Sequence, residues 1–108
     1  MLLANPLENL GDIRGVIYDF EFANDVLPKH VHTEDDVHIT IVARGKVKAY
    51  SHDWSTEATA GQIINFKPGE PHEIMALEPN TRIINILKKY ATNVAVPYGV
   101  ATVLPLQE

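Results

Sequence analysis

Three of the five histidines in this chain fall in one short segment, HVHTEDDVH (30–38), beside Glu34, Asp35 and Asp36. Neutral imidazole is the commonest protein ligand for a metal ion. Side chains alternate along a strand, so His30 and His32 can share a face and form a chelating pair. His38 opens the β-branched run HITIV. If that run folds back beside the first strand, it adds a third nitrogen. A further histidine, His72, follows the turn KPGEP and opens the run HEIMAL, from which it can reach the same point across a barrel mouth. A lone strand histidine, or an isolated HxH pair, is more often an incidental polar residue than a ligand. Four histidines placed on strands and after a Pro-Gly turn shift that balance towards a metal site at His30, His32, His38 and His72. Glu34, Asp35 and Asp36 read as a solvated loop, with Glu34 an alternative ligand. His52, in SHDWS, reads as a turn residue.

Four imidazoles and no thiolate suit a first-row divalent ion such as iron, manganese, nickel, copper or zinc. Zinc in a closed four-ligand site would be structural or storage-like. An octahedral ion would keep two positions open for a ligand. Neutral ligands leave its 2+ charge uncompensated, which favours an anionic bidentate molecule: an enolate, a carboxylate or a β-dicarbonyl. Lewis-acid polarisation would then acidify a C–H or O–H bond of that molecule. No Ser-His-Asp order, phosphate loop or paired-carboxylate arrangement stands out, and no residue is identified as a catalytic acid or base.

The elements that must carry these histidines read as strands. In GVIYDFEF (15–22), Val16, Tyr18, Phe20 and Phe22 fall on one face, and Ile17, Asp19 and Glu21 on the other. HITIVARGKVKAY (38–50) reads as two strands joined at ARGK, with Gly45 free to take positive φ. GQIINF (61–66), HEIMAL (72–77) and TRIINILKKY (81–90) follow, the last two split by Glu78, Pro79 and Asn80. The tail, 93–108, has the valines of a strand, but Pro97 and Pro105 confine it to an edge. No amphipathic helix is evident. Short strands with turn signals roughly every ten residues predict an all-β sandwich or barrel. Strand parity places Thr40 and Val42 on the face of His38, and Ile74 and Ala76 on the face of His72. Tyr18, Phe20 and Phe22 read as core, and Tyr50, Trp54 and Phe66 as rim residues.

These residues resemble the cupin superfamily, whose members are small double-stranded β-helix, or jelly-roll, barrels with two motifs. The first motif matches NDVLPKHVHTEDDVHITIVARG (24–45). Asn24 stands at its first glycine, His30 and His32 are its HxH pair, and Gly45 is its last glycine. His38 stands where the motif carries glutamate, and five residues separate it from His32, one more than usual. The second motif matches GQIINFKPGEPHEIMA (61–76) at Gly61, Gly69 and His72. Lys67 replaces its proline and Ala76 its final asparagine. The resemblance spans about residues 15–90. It implies an all-β cupin barrel and a divalent metal on His30, His32, His38 and His72. It also implies a homodimer and an activity like that of small single-domain oxygenases and isomerases. A non-catalytic cupin that binds a metal or a small ligand is the alternative.

The chain has 108 residues, 45% of them apolar, and a formal charge of −5. That length predicts one domain over 1–108. The negative charge and scattered basic residues disfavour nucleic acid and anionic membrane as partners, leaving a small molecule and a second copy of the chain. There is no cysteine, so disulfides and thiolate ligands are excluded. MLLANPLENLGD lacks the pattern of a signal peptide, and no run approaches a membrane span. The cytoplasm is the expected location. With no DNA-binding helix pattern, a complete transcription regulator is disfavoured.

Overall fold

The computed structural model describes residues 1–7, 13–30, 37–67, 69–88 and 102–105. They form ten strands: β1 (Leu2–Leu7), β2 (Ile13–Phe20), β3 (Val26–His30), β4 (Val37–Arg44), β5 (Lys46–Tyr50), β6 (Ser55–Thr59), β7 (Gln62–Phe66), β8 (His72–Ala76), β9 (Thr81–Lys88) and β10 (Thr102–Pro105). All pairings are antiparallel. Six strands make one sheet, in the order β1-β2-β9-β4-β7-β10, and four make the other, in the order β3-β8-β5-β6. Two antiparallel sheets closed over one core are the jelly-roll barrel that the sequence predicts. Among the described residues no helix is long and apolar enough to cross a membrane.

Alternation explains both the strands and the core. In β9, Thr81, Ile83, Asn85 and Leu87 point inward and are buried, while Arg82, Ile84, Ile86 and Lys88 are partly exposed. β4 and β8 repeat the pattern: His38, Thr40 and Val42 point inward from one sheet, and His72, Ile74 and Ala76 from the other. Phe20, Val42, Val47, Ile64, Ile74 and Ile83 are fully buried between the sheets. Removing such apolar surface from water stabilises the barrel by about 25 cal/mol per Å².

The ARGK segment joins two strands as expected, and it does so as a corner between the sheets. β4 and β5 flank Gly45, but β4 pairs with β7 and β9 while β5 pairs with β6 and β8 in the opposite sheet. Gly45 makes this turn at φ 85°, and a Cβ there would run into the Thr81 side chain. The early strand begins at Ile13 and ends at Phe20, so Phe22 lies beyond it and is 58% exposed rather than core. The chain bends away there: the Phe22 N–H donates to Asp25 Oδ2 at 3.0 Å, and Asn24 takes φ 73°. Positive φ at Asn24 agrees with its standing at a glycine position. β1 and β6 have no counterpart in the sequence reading. Of the tail, β10 lies at the sheet edge beside β7 as expected; 93–101 and 106–108 lie outside the described residues.

Candidate metal and ligand site

The histidine strands converge at one end of the barrel. His38 enters near the start of β4, opposite Phe66 of β7 and Leu87 of β9. His72 opens β8, and His30 ends β3 directly opposite it in register. His38 and His72 therefore come from facing sheets. Their rings lie 5.0 Å apart, centre to centre, tilted by 45°. Both residues are almost fully buried, at 2% and 1% exposure. His32 lies outside the described residues, as do Glu34, Asp35, Asp36 and the side chain of His30; among the side chains that are described, no third histidine or acidic group joins His38 and His72. The exposed His52 lies in the loop after β5, where it lines a pocket of about 200 Å³ with Tyr50, Ser51, Glu73 and His72.

Local contacts fix which nitrogen each ring can offer. His72 Nδ1 lies 3.1 Å from the Glu70 carbonyl oxygen. A carbonyl only accepts, so Nδ1 carries the proton and donates. In the neutral ring the lone pair is then on Nε2, and the Nε2 atoms of both His72 and His38 are buried. Backbone carbonyls commonly orient metal-ligating imidazoles in this way. Two imidazoles held by one ion at about 2.1 Å, on adjacent positions, place their ring centres roughly 4.5–5 Å apart. The spacing of His38 and His72 and the His72 tautomer therefore fit a first-row divalent ion.

Phe66, expected at the rim, is instead an inner wall. It is 3% exposed, stacks on His72 at 3.9 Å and lies 4.8 Å from His38. The alternation of β7 would have revealed this, because Phe66 shares the inward face of Ile64. Trp54 is half-buried and lies 6.3 Å from Phe66. Tyr50 is on the outer face, where its hydroxyl donates to Glu73 Oε2 at 2.8 Å. That bond to a carboxylate, helped by partial burial, raises the phenol pKa above its ordinary value. Thr40, Val42, Ile74 and Ala76 line the interior below the histidines, all at 0% exposure. Asn85 was not foreseen. Its signal was a polar residue on the inward parity of an otherwise apolar strand.

Comparison with known proteins agrees with the fold. The family model described as AraC-like ligand binding domain matches residues 15–82. No curated protein matches the sequence. Among solved structures, a conserved protein of unknown function from Streptococcus pyogenes is similar at a TM-score of 0.71 and 16% identity, over 85% of this chain and 77% of that one. KdgF from Halomonas sp. gives 0.70 and 18%, over 85% and 82%. The cupin domain of an XRE-family transcriptional regulator from Enterobacter cloacae gives 0.71 and 10%, over 83% and 98%. At these identities what is shared is the barrel.

Proposed function

We propose a function from one premise: this chain belongs to the family of AraC-like ligand-binding domains, within the cupin superfamily. It is a small ligand-binding cupin. The finer reading is that one divalent transition metal sits on His30, His32, His38 and His72. On this reading those residues would hold the ion where a small oxyanionic or dicarbonyl molecule could bind for oxygenase- or isomerase-type turnover. The observation that carries it is the approach of two buried imidazoles from facing sheets to 5.0 Å, at the barrel end where His30 stands opposite His72.

When bound, such an ion supplies a Lewis acid and a positive charge for an oxyanion. The chain supplies the rest. The Glu70 carbonyl holds the His72 ring with Nε2 as its lone-pair nitrogen. Phe66 packs on both rings and keeps water from that side. Ile74 and Ala76 continue the inward face of β8 below His72 as apolar surface.

A second reading, binding without turnover, is favoured by the family match to a ligand-binding domain. The partners we infer are a small molecule and a second copy of the chain, in the cytoplasm. The net charge of −5 argues against nucleic acid and anionic membrane.

Plasma mass spectrometry of untagged protein, purified without chelator or added metal, tests the metal. Near-stoichiometric iron, manganese, nickel or copper is expected. No metal, and none taken up on titration, would remove the site. Oxygen uptake and isomerisation of β-dicarbonyls and hydroxy acids by the loaded protein then separate turnover from binding.

A further inference from the structure

Thr40 and Asn85 form a polar pair inside the barrel that neither the metal site nor the fold explains. They face each other across β4 and β9 and are 0% and 2% exposed. The Thr40 hydroxyl donates to Asn85 Oδ1 at 2.6 Å. That distance suits O–H···O and is shorter than N–H···O bonds run, so it also sets the amide orientation: Oδ1 faces Thr40, and both N–H donors of Nδ2 face away. Among the described residues Asn85 has no other hydrogen-bond partner. The residue is 2% exposed, so its Nδ2 donors are largely withdrawn from bulk water and an acceptor placed there would stabilise them. Along these strands the inward neighbours Val42, Ile83 and Leu87, and Ile64 opposite Thr40, offer no acceptor; His38, two residues from Thr40, is the only other polar inward neighbour on them, and among the described residues no hydrogen bond joins it to Asn85.

Position gives the pair its meaning. Thr40 is two residues along β4 from His38, and Asn85 two along β9 from Leu87, the partner of His38. The pair therefore lies one inward layer, about 7 Å, below the histidines. We propose that Asn85 is the interior anchor for the ligand, its Nδ2 donating to a carboxylate or carbonyl oxygen of a small molecule whose other end lies at the histidines. Thr40 is a positioning residue that keeps those donors turned towards the ligand. The proposal rests on the histidine end being the ligand-binding end. It narrows the ligand to a short molecule with oxygen acceptors at both ends, such as a dicarboxylate, a keto acid or a β-dicarbonyl.

The probe is sodium malonate, titrated into the full chain by calorimetry and followed by the ¹⁵N side-chain amide resonances, with metal content measured on the same samples. In the double variant Thr40→Val with Asn85→Leu, both partners become apolar groups of similar shape. No polar atom is orphaned and the barrel keeps its fold. In the wild-type protein, malonate is expected to shift the Asn85 amide pair, assigned by its loss in the variant. In the variant, malonate binding is expected to weaken about tenfold or more with metal content unchanged. Equal affinity in both proteins overturns the anchor, even at full metal loading, and so does a wild-type protein that does not bind malonate. A metal-free protein that binds malonate through Asn85 would instead overturn the metal assignment and leave the anchor standing.

Discussion

A buried imidazole takes two polar nitrogens out of water, and each needs a partner. At His72 one is the Glu70 carbonyl, which fixes the orientation of the ring. His38 is held between Phe66 and His72, 4.8 and 5.0 Å away. Rings held by such contacts are the preorganisation that the proposed metal site would use. His38→Ala and His72→Ala are therefore each expected to lose most of the metal occupancy, measured by plasma mass spectrometry on folded protein. Full occupancy in either variant would remove that residue from the site. The motif spacing alone made His38 the least regular of the four, with one residue too many after His32. Strand register resolves the position: His38 faces inward opposite Phe66 and Leu87 whatever the length of the preceding turn.

Gly45 shows how one position governs two elements. It carries the chain from β4 in one sheet to β5 in the other at φ 85°, closely packed against Thr81. An alanine there meets an unfavourable left-handed conformation, about 1–2 kcal/mol, and a displaced Thr81 as well. Gly45→Ala is expected to destabilise the fold by about 2 kcal/mol or more, read from urea unfolding midpoints at constant m-value. A second element-scale contact joins β2 to β9. Arg82 donates two bonds to Asp19, from Nε to Oδ1 at 2.8 Å and from Nη2 to Oδ2 at 3.0 Å. That hydrogen bonding outweighs partial burial and holds the Asp19 carboxyl below its ordinary value of 3.8. Because the folded pKa is the lower one, this contribution is present above pH 3.8 and is lost as pH falls through the depressed folded value. Asp19→Asn is expected to cost about 1 kcal/mol at neutral pH, with a gap to wild type that closes in acid. A constant gap down to pH 2 would show that the charge is not what matters. The strands around these contacts were legible because β4, β8 and β9 alternate strictly, and so were the inward residues Thr40, Val42, Ile74 and Ala76. β1 (LLANPL) and β6 (STEAT) were not. Both lie at sheet edges, bury little and so carry no period-two signal; β1 also contains Pro6, which an edge strand tolerates. The sheet change at Gly45 was hidden because a glycine between two β-branched runs reads equally as a hairpin or a corner.

At the scale of the whole molecule the outer face of the six-stranded sheet poses the remaining problem. Ile17, Ile84, Ile41 and Ile63 stand side by side on neighbouring strands, and Ile86 and Ile39 form a shorter row beside them. All six are partly exposed. A one-sided antiparallel sheet ordinarily turns polar residues to water, and a continuous isoleucine patch instead marks an association surface. For the homodimer we propose, exchange of the C-terminal segment, whose β10 pairs with β7, is one candidate, and this face is the other. Ile41 and Ile84 are cross-strand partners at its centre, so Ile41→Lys with Ile84→Lys places two like charges where two copies would meet. Sedimentation equilibrium is expected to give a dimer for the wild-type chain, a monomer for this double variant, and a dimer for a chain ending at Tyr90. Metal content should be the same in all three, because the isoleucines face away from the histidines. If the shortened chain is monomeric while the lysine variant remains dimeric, the tail rather than the sheet face joins the copies. If the wild-type chain sediments as a monomer, the isoleucine face serves some other contact.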